Sequence, residues 1–250
     1  MSDALIRAEA VTRVYRTGEV VVDALIEIDL VVERGEFTAI AGPSGSGKST
    51  LLNLIGGLDN PTLGRVFLAG HLIGDMSGNE LSDFRRDHIG FVFQSYNLIP
   101  VLDVVENIEY VMLLQGVSST ERRRRVEEML AEVGLEGMAD RRPDQLSGGQ
   151  QQRLTIARAL SQEPELLLLD EFSIAVDPVT TMRIEDVLKE LKKEMTIILV
   201  TNLVQQARRL ADRTAFFLNG EVVEVGDTAE LFTRNTKDKR TTDYLEGRFG

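Results

Sequence analysis

Four short apolar runs punctuate the chain: "FTAIAG" at 37 to 42, "IGFVFQ" at 89 to 94, "ELLLLDE" at 165 to 171 and "TIILVT" at 196 to 201. Each is rich in Ile, Leu, Val or Phe and nearly free of polar interruption, which predicts strands covered on both faces. Stretches of helical periodicity lie between them, so the order reads as α/β with a mostly parallel sheet. Residues 104 to 135 are helical in character, with Val126, Met129, Leu130 and Val133 at the i, i+3, i+4, i+7 spacing of one apolar stripe. This block reads as a helical subdomain inserted into the core. Residues 11 to 30 alternate apolar and polar with few helix signals, which predicts a small N-terminal antiparallel β-layer. Past Gly220 the chain predicts a short strand, "EVVEVG", a helix around residues 228 to 232, and a polar tail ending "RTTDYLEGRFG". The expected layout is a single domain over 1–250, with core and β-layer at about 1–94 and 160–250 and the helical subdomain at about 95–159.

The net charge of -12 comes from interspersed acids and bases. The basic run at 122 to 125 is flanked by Glu121, Glu127 and Glu128, so nothing suggests a nucleic-acid footprint. The absence of cysteine excludes a disulfide framework and a thiolate metal site, and fits a reducing compartment. No apolar stretch reaches the roughly 18 residues a membrane helix needs, and "MSDALIRAEA" lacks the apolar centre of a signal peptide. The expectation is a soluble chain in the cytoplasm.

Polar residues at the ends of the apolar runs carry the candidate chemistry, because ligands of such sheets sit beyond the carboxyl ends of the strands. "GPSGSGKST", that is Gly42, Pro43, Ser44, Gly45, Ser46, Gly47, Lys48, Ser49 and Thr50, follows one strand and precedes a helical run. It matches the phosphate-binding pattern G-x-x-x-x-G-K-[ST] in its strand-loop-helix context. Glycines let backbone N–H groups curl around phosphate oxygens, Lys48 adds a charge near the terminal phosphates, and Ser49 can ligate Mg2+. "ELLLLDE" delivers two carboxylates at a strand end: Asp170 to orient Mg2+ through water, Glu171 to polarise the attacking water. In "QLSGGQQQRLTIARAL", Ser147, Gly148, Gly149 and Gln150 open a second helix able to bind anions at its N-terminus. One nucleotide already has a phosphate loop, so a second such end points to two chains sandwiching it.

With these segments the chain resembles the ATP-binding cassette family, whose signature is L-S-G-G-Q. The match covers nearly the whole chain: phosphate loop, Gln94 after a strand, signature, acidic strand, a loop ending at Asp177, and a polar residue ending the next strand. The resemblance implies that adenine stacks on Tyr15. It also implies that Gln94 senses the γ-phosphate and Mg2+ and links the site to a membrane partner. The first two-thirds looks like the lipoprotein-release and macrolide-efflux branch ("GPSGSGKSTLLNLIGGLDNPTLG", "RRPDQLSGGQQQR"). From about Glu165 onward it looks like the phosphate-importer ATPase ("RIEDVLKELKK", "RTTDYLEGRFG").

Two departures stand out. After Glu171 the family has Pro and then S-A-L-D, whereas this chain has Phe172 and then Ile174, Ala175, Val176 and Asp177. Where the family has T-H-N-x-Q-Q-A this chain has Thr201-Asn202-Leu203-Val204-Gln205-Gln206-Ala207, so Asn202 replaces the histidine that reaches the γ-phosphate. Asn202 can donate a hydrogen bond but is shorter, cannot become cationic and cannot relay a proton. The resemblance thus implies an ATP-binding and ATP-hydrolysing subunit, slowed at Asn202. It would energise solute movement through transmembrane ABC permease subunits as a homodimer or heterodimer, peripheral on the inner face of the cell membrane. The competing expectation is a regulatory or mechanical ATPase that pairs with a membrane protein and moves no solute.

Overall fold

Side chains that alternate between cover and solvent make β1 (Ala4–Thr17) and β2 (Val20–Glu33) a half-covered antiparallel hairpin, closed by a two-residue turn at Gly18, whose φ is 62°. The computed structural model describes residues 3 to 173, 176 to 233 and 236 to 248. In chain order there follow β3 (Phe37–Ala41), α1 (Lys48–Ile55), β4 (Leu63–Leu68), β5 (His71–Leu72), α2 (Gly78–His88), β6 (Ile89–Val92), α3 (Val104–Leu114) and α4 (Ser119–Glu132). Then come α5 (Gly148–Leu160), β7 (Leu166–Asp170), α6 (Pro178–Leu191), β8 (Thr196–Thr201), α7 (Val204–Leu210), β9 (Arg213–Leu218), β10 (Glu221–Asp227), α8 (Thr228–Leu231) and α9 (Lys239–Leu245). The expected reading of Ile174 and Ala175 falls outside the described residues.

The chain divides into two units, residues 1–81 with 196–250, and residues 82–195. The first unit holds an antiparallel sheet in the order β2-β1-β4-β5 and, separately, the neighbours β10-β9-β3-β8, in which β3 runs parallel to both β8 and β9. Every residue of β3 and β8 is buried, as unbroken apolar runs require. The second unit pairs β6 with β7 in parallel. Its helices enclose Val104, Ile108, Met112, Val126, Leu130, Val133, Leu154 and Ala157, and Met129 packs against that cluster. The fold class is α/β, with parallel strands in the core and an antiparallel layer near the N-terminus.

Gln94 lies in the loop after β6, as expected, although the strand itself ends at Val92. Two expectations need correction. The β-layer is larger than residues 11 to 30, because β1 begins at Ala4 and β4 and β5 join it. The polar tail contains a helix, α9, capped by Asp238, whose carboxylate accepts from the Arg240 amide at 2.8 Å. Thr241 and Tyr244 of that helix are buried.

Candidate functional site

In the first unit the phosphate-loop pattern leaves β3 and enters α1. Gly47 caps the helix at φ 99°, with no side-chain cap of its own. A Cβ there would lie 2.4 Å from the Ala24 carbonyl oxygen, and one on Gly42 would lie 2.2 Å from that of Phe217. Glycine is needed at both positions because β2 and β9 press on the loop. Lys48 is buried and its Nζ donates to the Pro43 carbonyl at 2.8 Å. Ser46 is 2% exposed, and its hydroxyl has no hydrogen-bond partner inside the loop. A buried hydroxyl without a partner in this loop is a fit for a phosphate oxygen. Ser44 and Gly45 are exposed at the loop's crest, Pro43 and Thr50 are half-buried, and Ser49 is exposed at the start of α1.

Asn202 belongs to the same corner. Ala41 and Thr201 are paired on neighbouring parallel strands, so Gly42 and Asn202 leave the sheet side by side at its carboxyl end. The polar pair at that end divides its work. Thr201 is buried, donates to Gln206 Oε1 at 2.9 Å and accepts the Leu203 amide at 3.0 Å, while Asn202 is exposed. Tyr15 lies on β1 with its hydroxyl donating to Asp59 Oδ2 at 2.8 Å, and the Arg13 guanidinium sits 4.5 Å above its ring. Arg13 also pairs with Asp59 at 2.8 Å. One ring face is therefore covered by a cation, and base stacking is left to the other.

In the second unit β6 and β7 end together, with Val92 opposite Leu169. Asp170 closes β7, and Glu171 follows at φ 46°, a left-handed conformation that costs a non-glycine residue strain. Phe172 is 1% exposed, so the ring standing where the family has proline fills the core. Gln94 is exposed in the loop after β6. That loop carries Tyr96 and Asn97, also left-handed, and the Arg158 guanidinium of α5 donates to both carbonyls, at 3.2 and 2.7 Å. Burial pulls the Arg158 pKa below its ordinary value.

Ser147 caps α5: its hydroxyl accepts the Gln150 amide at 3.3 Å, and Gln150 Oε1 accepts the Ser147 amide at 2.8 Å. The Ser147 hydroxyl proton is still available to an anion. A Cβ on Gly149 would come to 3.4 Å from Thr180 and 3.6 Å from Asp177, so the second signature glycine lies against the loop that starts α6. Asp177 caps α6 by accepting the Thr180 amide at 2.9 Å, and hydrogen bonds from Thr180 hold its carboxyl below the usual range. Arg153 donates to the Val133 and Gly134 carbonyls at 3.0 and 2.9 Å, closing the end of α4 from the signature helix. The sequence reading missed Arg158, Arg13 and Asp59, and none carries a signal there, because two of the partners are backbone carbonyls and the third is a remote loop carboxylate.

The donors proposed for a metal, the Ser49 hydroxyl, the Gln94 amide oxygen and the Asp170 carboxylate, are all hard oxygens, as Mg2+ prefers. Among the described residues no group of three or more His, Asp or Glu gathers as an all-protein cation cage. Each of these donors, taken singly, is of the kind that Mg2+ accepts beside phosphate oxygens.

A strand-loop-helix phosphate cradle and a separate serine-glycine helix start define a class of nucleotide-driven ATPases. The family model for "ABC transporter" matches residues 25–173. The chain is 43% identical over 235 residues to a methionine import ATP-binding protein of Corynebacterium diphtheriae, covering 93% of this chain and 69% of that one. It is 44% identical over 224 residues to an uncharacterized ABC transporter ATP-binding protein of Methanocaldococcus jannaschii, covering 87% and 95%. A macrolide export ATP-binding/permease protein of Bartonella henselae is 40% identical over 248 residues, 99% of this chain and 37% of that one. Among solved structures, a dimeric post-hydrolysis state of the archaeal cassette, bound to ADP and Pi, superposes with a TM-score of 0.85 at 41% identity, covering 89% of this chain and 98% of that one. The chain belongs to the ABC transporter family. It is an ATPase subunit that works with Mg2+ and pairs with transmembrane permease subunits, and the archaeal cassette it superposes on is dimeric.

Proposed function

We propose that this chain is a slow ATPase engine of a membrane transporter, held on the inner face of the cell membrane by its permease, with Asn202 as the residue that limits hydrolysis. The observation that carries this reading is the register of β3 and β8, which sets Asn202 beside Gly42 at the mouth of the phosphate loop. In this reading the loop amides from Gly42 to Thr50 and Lys48 grip the phosphates of ATP. Ser147, Gly148, Gly149 and Gln150 of a second copy, or of a related partner, close on the γ-phosphate, and adenine stacks on the open face of Tyr15. Ser49, Gln94 and, through water, Asp170 would hold Mg2+, which would supply charge neutralisation at the phosphate oxygens. Glu171 polarises the attacking water, and Asn202 donates to the γ-phosphate.

Loss of one transition-state contact typically costs about 2.7 to 4 kcal/mol, or about 10² to 10³ in rate. A neutral, shorter donor in place of an imidazole leaves part of that stabilisation unclaimed. ATP binding closes the dimer and product release reopens it, so that the permease is driven by differential contacts in the two states. The helical stretch around 104 to 135 is the proposed arm that, with Gln94, carries the change to the permease. Relatives named for import and for export favour solute transport over a purely mechanical role.

The test is the association state of Glu171→Gln, which should trap ATP without turning it over. Light scattering should show a dimer with ATP and a monomer without it. A chain that stays monomeric at millimolar ATP contradicts the sandwich for like copies and points to an unlike partner.

A further inference from the structure

We infer that Tyr244 of the C-terminal helix α9 is a positioning residue for Asn202, an inference that rests on the hydrolytic role proposed for Asn202. The Tyr244 hydroxyl donates to the Asn202 carbonyl oxygen at 3.1 Å. Its ring is 8% exposed and packs on Phe216 of β9 with centroids 4.6 Å apart. The same cluster takes in Ala39 and Ala41 of β3 and Ala207 of α7, and Leu245 and Phe232 pack around it. Tyr244 thus enters the corner of the sheet from which both the phosphate loop and Asn202 depart.

The residue is pinned from both sides. Tyr244 holds the Asn202 carbonyl, and the Thr201 hydroxyl accepts the next amide, that of Leu203, at 3.0 Å. The peptide following Asn202 is therefore held at both its oxygen and its nitrogen. That leaves the two side-chain torsions of Asn202 as its main freedom. A short amide reaches less far than an imidazole, so its placement depends more on the backbone that carries it. A helix of seven residues with the sequence "KRTTDYL" is too short to be stable alone, and its docking depends on the Tyr244 ring. The ring supplies the docking, while the hydroxyl acts on Asn202.

Tyr244→Phe separates these two contributions, because it keeps the ring and removes the hydrogen bond. Steady-state ATP hydrolysis of the purified chain should show kcat about fivefold lower, the equivalent of one typical net hydrogen bond of about 1 kcal/mol, with KM for MgATP within about twofold. The melting temperature should move by only about 2 to 4 °C. Asn202→Ala is the reference and should itself lower kcat by at least about tenfold. Adding Tyr244→Phe to Asn202→Ala should then lower kcat no further. If Asn202→Ala slows hydrolysis but Tyr244→Phe does not, the positioning role is overturned while the reading of Asn202 stands. Additive losses in the double variant, or a KM that rises as kcat falls, also overturn it. If Asn202→Ala leaves kcat unchanged, the hydrolytic reading of Asn202 fails and the inference falls with it.

Discussion

The Arg158 guanidinium donates to the Asn97 carbonyl at 2.7 Å, tying the helix that follows the signature to the loop that carries Gln94. A second bond, to the Tyr96 carbonyl at 3.2 Å, completes the clasp. Both acceptor residues are left-handed, so the clasp holds a strained turn in place. Arg158→Ala removes both donors and should lower the melting temperature by about 2 to 4 °C, since the half-buried Tyr96 carbonyl loses its partner while the exposed Asn97 carbonyl can turn to water. Arg158→Lys keeps the charge without the planar fork and should recover part of the loss. Thermal melts of the three proteins decide it, and equal melting temperatures would mean that the clasp contributes nothing.

The phosphate loop tolerates no side chain at Gly47. Its φ of 99° and the 2.4 Å approach of the Ala24 carbonyl oxygen to a hypothetical Cβ are both incompatible with alanine. Gly47→Ala should abolish measurable ATP binding in calorimetry, whereas Gly45→Ala, where a Cβ meets nothing within 4 Å, should weaken it less. Equal affinities in the two variants would remove the steric argument.

Tyr15 offers adenine one open face. Base stacking on an aromatic is worth about 1 to 3 kcal/mol, so Tyr15→Ala should raise the Kd for ATP by about 5- to 150-fold. Stacking is tolerant of base identity, so GTP should lose affinity by a similar factor. Fluorescence titration with both nucleotides checks this, and an unchanged Kd would place the base elsewhere.

Asp177 gives a pH dependence of known sign. Hydrogen bonds from Thr180 hold its folded pKa below the unfolded carboxylate value of about 3.9. Its contribution to stability is complete above that value and is lost as pH falls through the lower folded one. The melting temperature of Asp177→Ala should therefore lie below the parent's by a constant margin from pH 5 to 8, and the margin should narrow in acid below about pH 4. A margin independent of pH down to 2 would remove the carboxylate from the cap.

How much of this could be read from the sequence depends on how each element is covered. β3, β7 and β8 were legible because cover on both faces leaves unbroken apolar runs. The β-layer was only partly legible: register shifts around Val11 and Arg13, and left-handed residues at Ala10 and Glu27, break the period-two pattern midway along both strands. α9 was not legible, because its docking rests mainly on one aromatic in a polar stretch. The phosphate loop and the signature are spelled out locally by residues 42 to 50 and 145 to 150. The contacts that hold them, from Arg158 to backbone carbonyls and from Tyr244 to Asn202, span long sequence distances and leave no periodic trace. At the end of β8 the sequence marks only a polar residue, whereas the structure assigns Thr201 to the turn and leaves Asn202 exposed.

The most direct test of the central claim is the turnover of Asn202→His beside that of the parent chain, measured as ATP hydrolysis by the purified protein at saturating MgATP. Restoring an imaidazole-sized donor next to Gly42 should raise kcat by at least about tenfold, or about 1.4 kcal/mol of barrier. An unchanged or lower kcat would contradict the account, leaving Asn202 as a polar end to a buried strand.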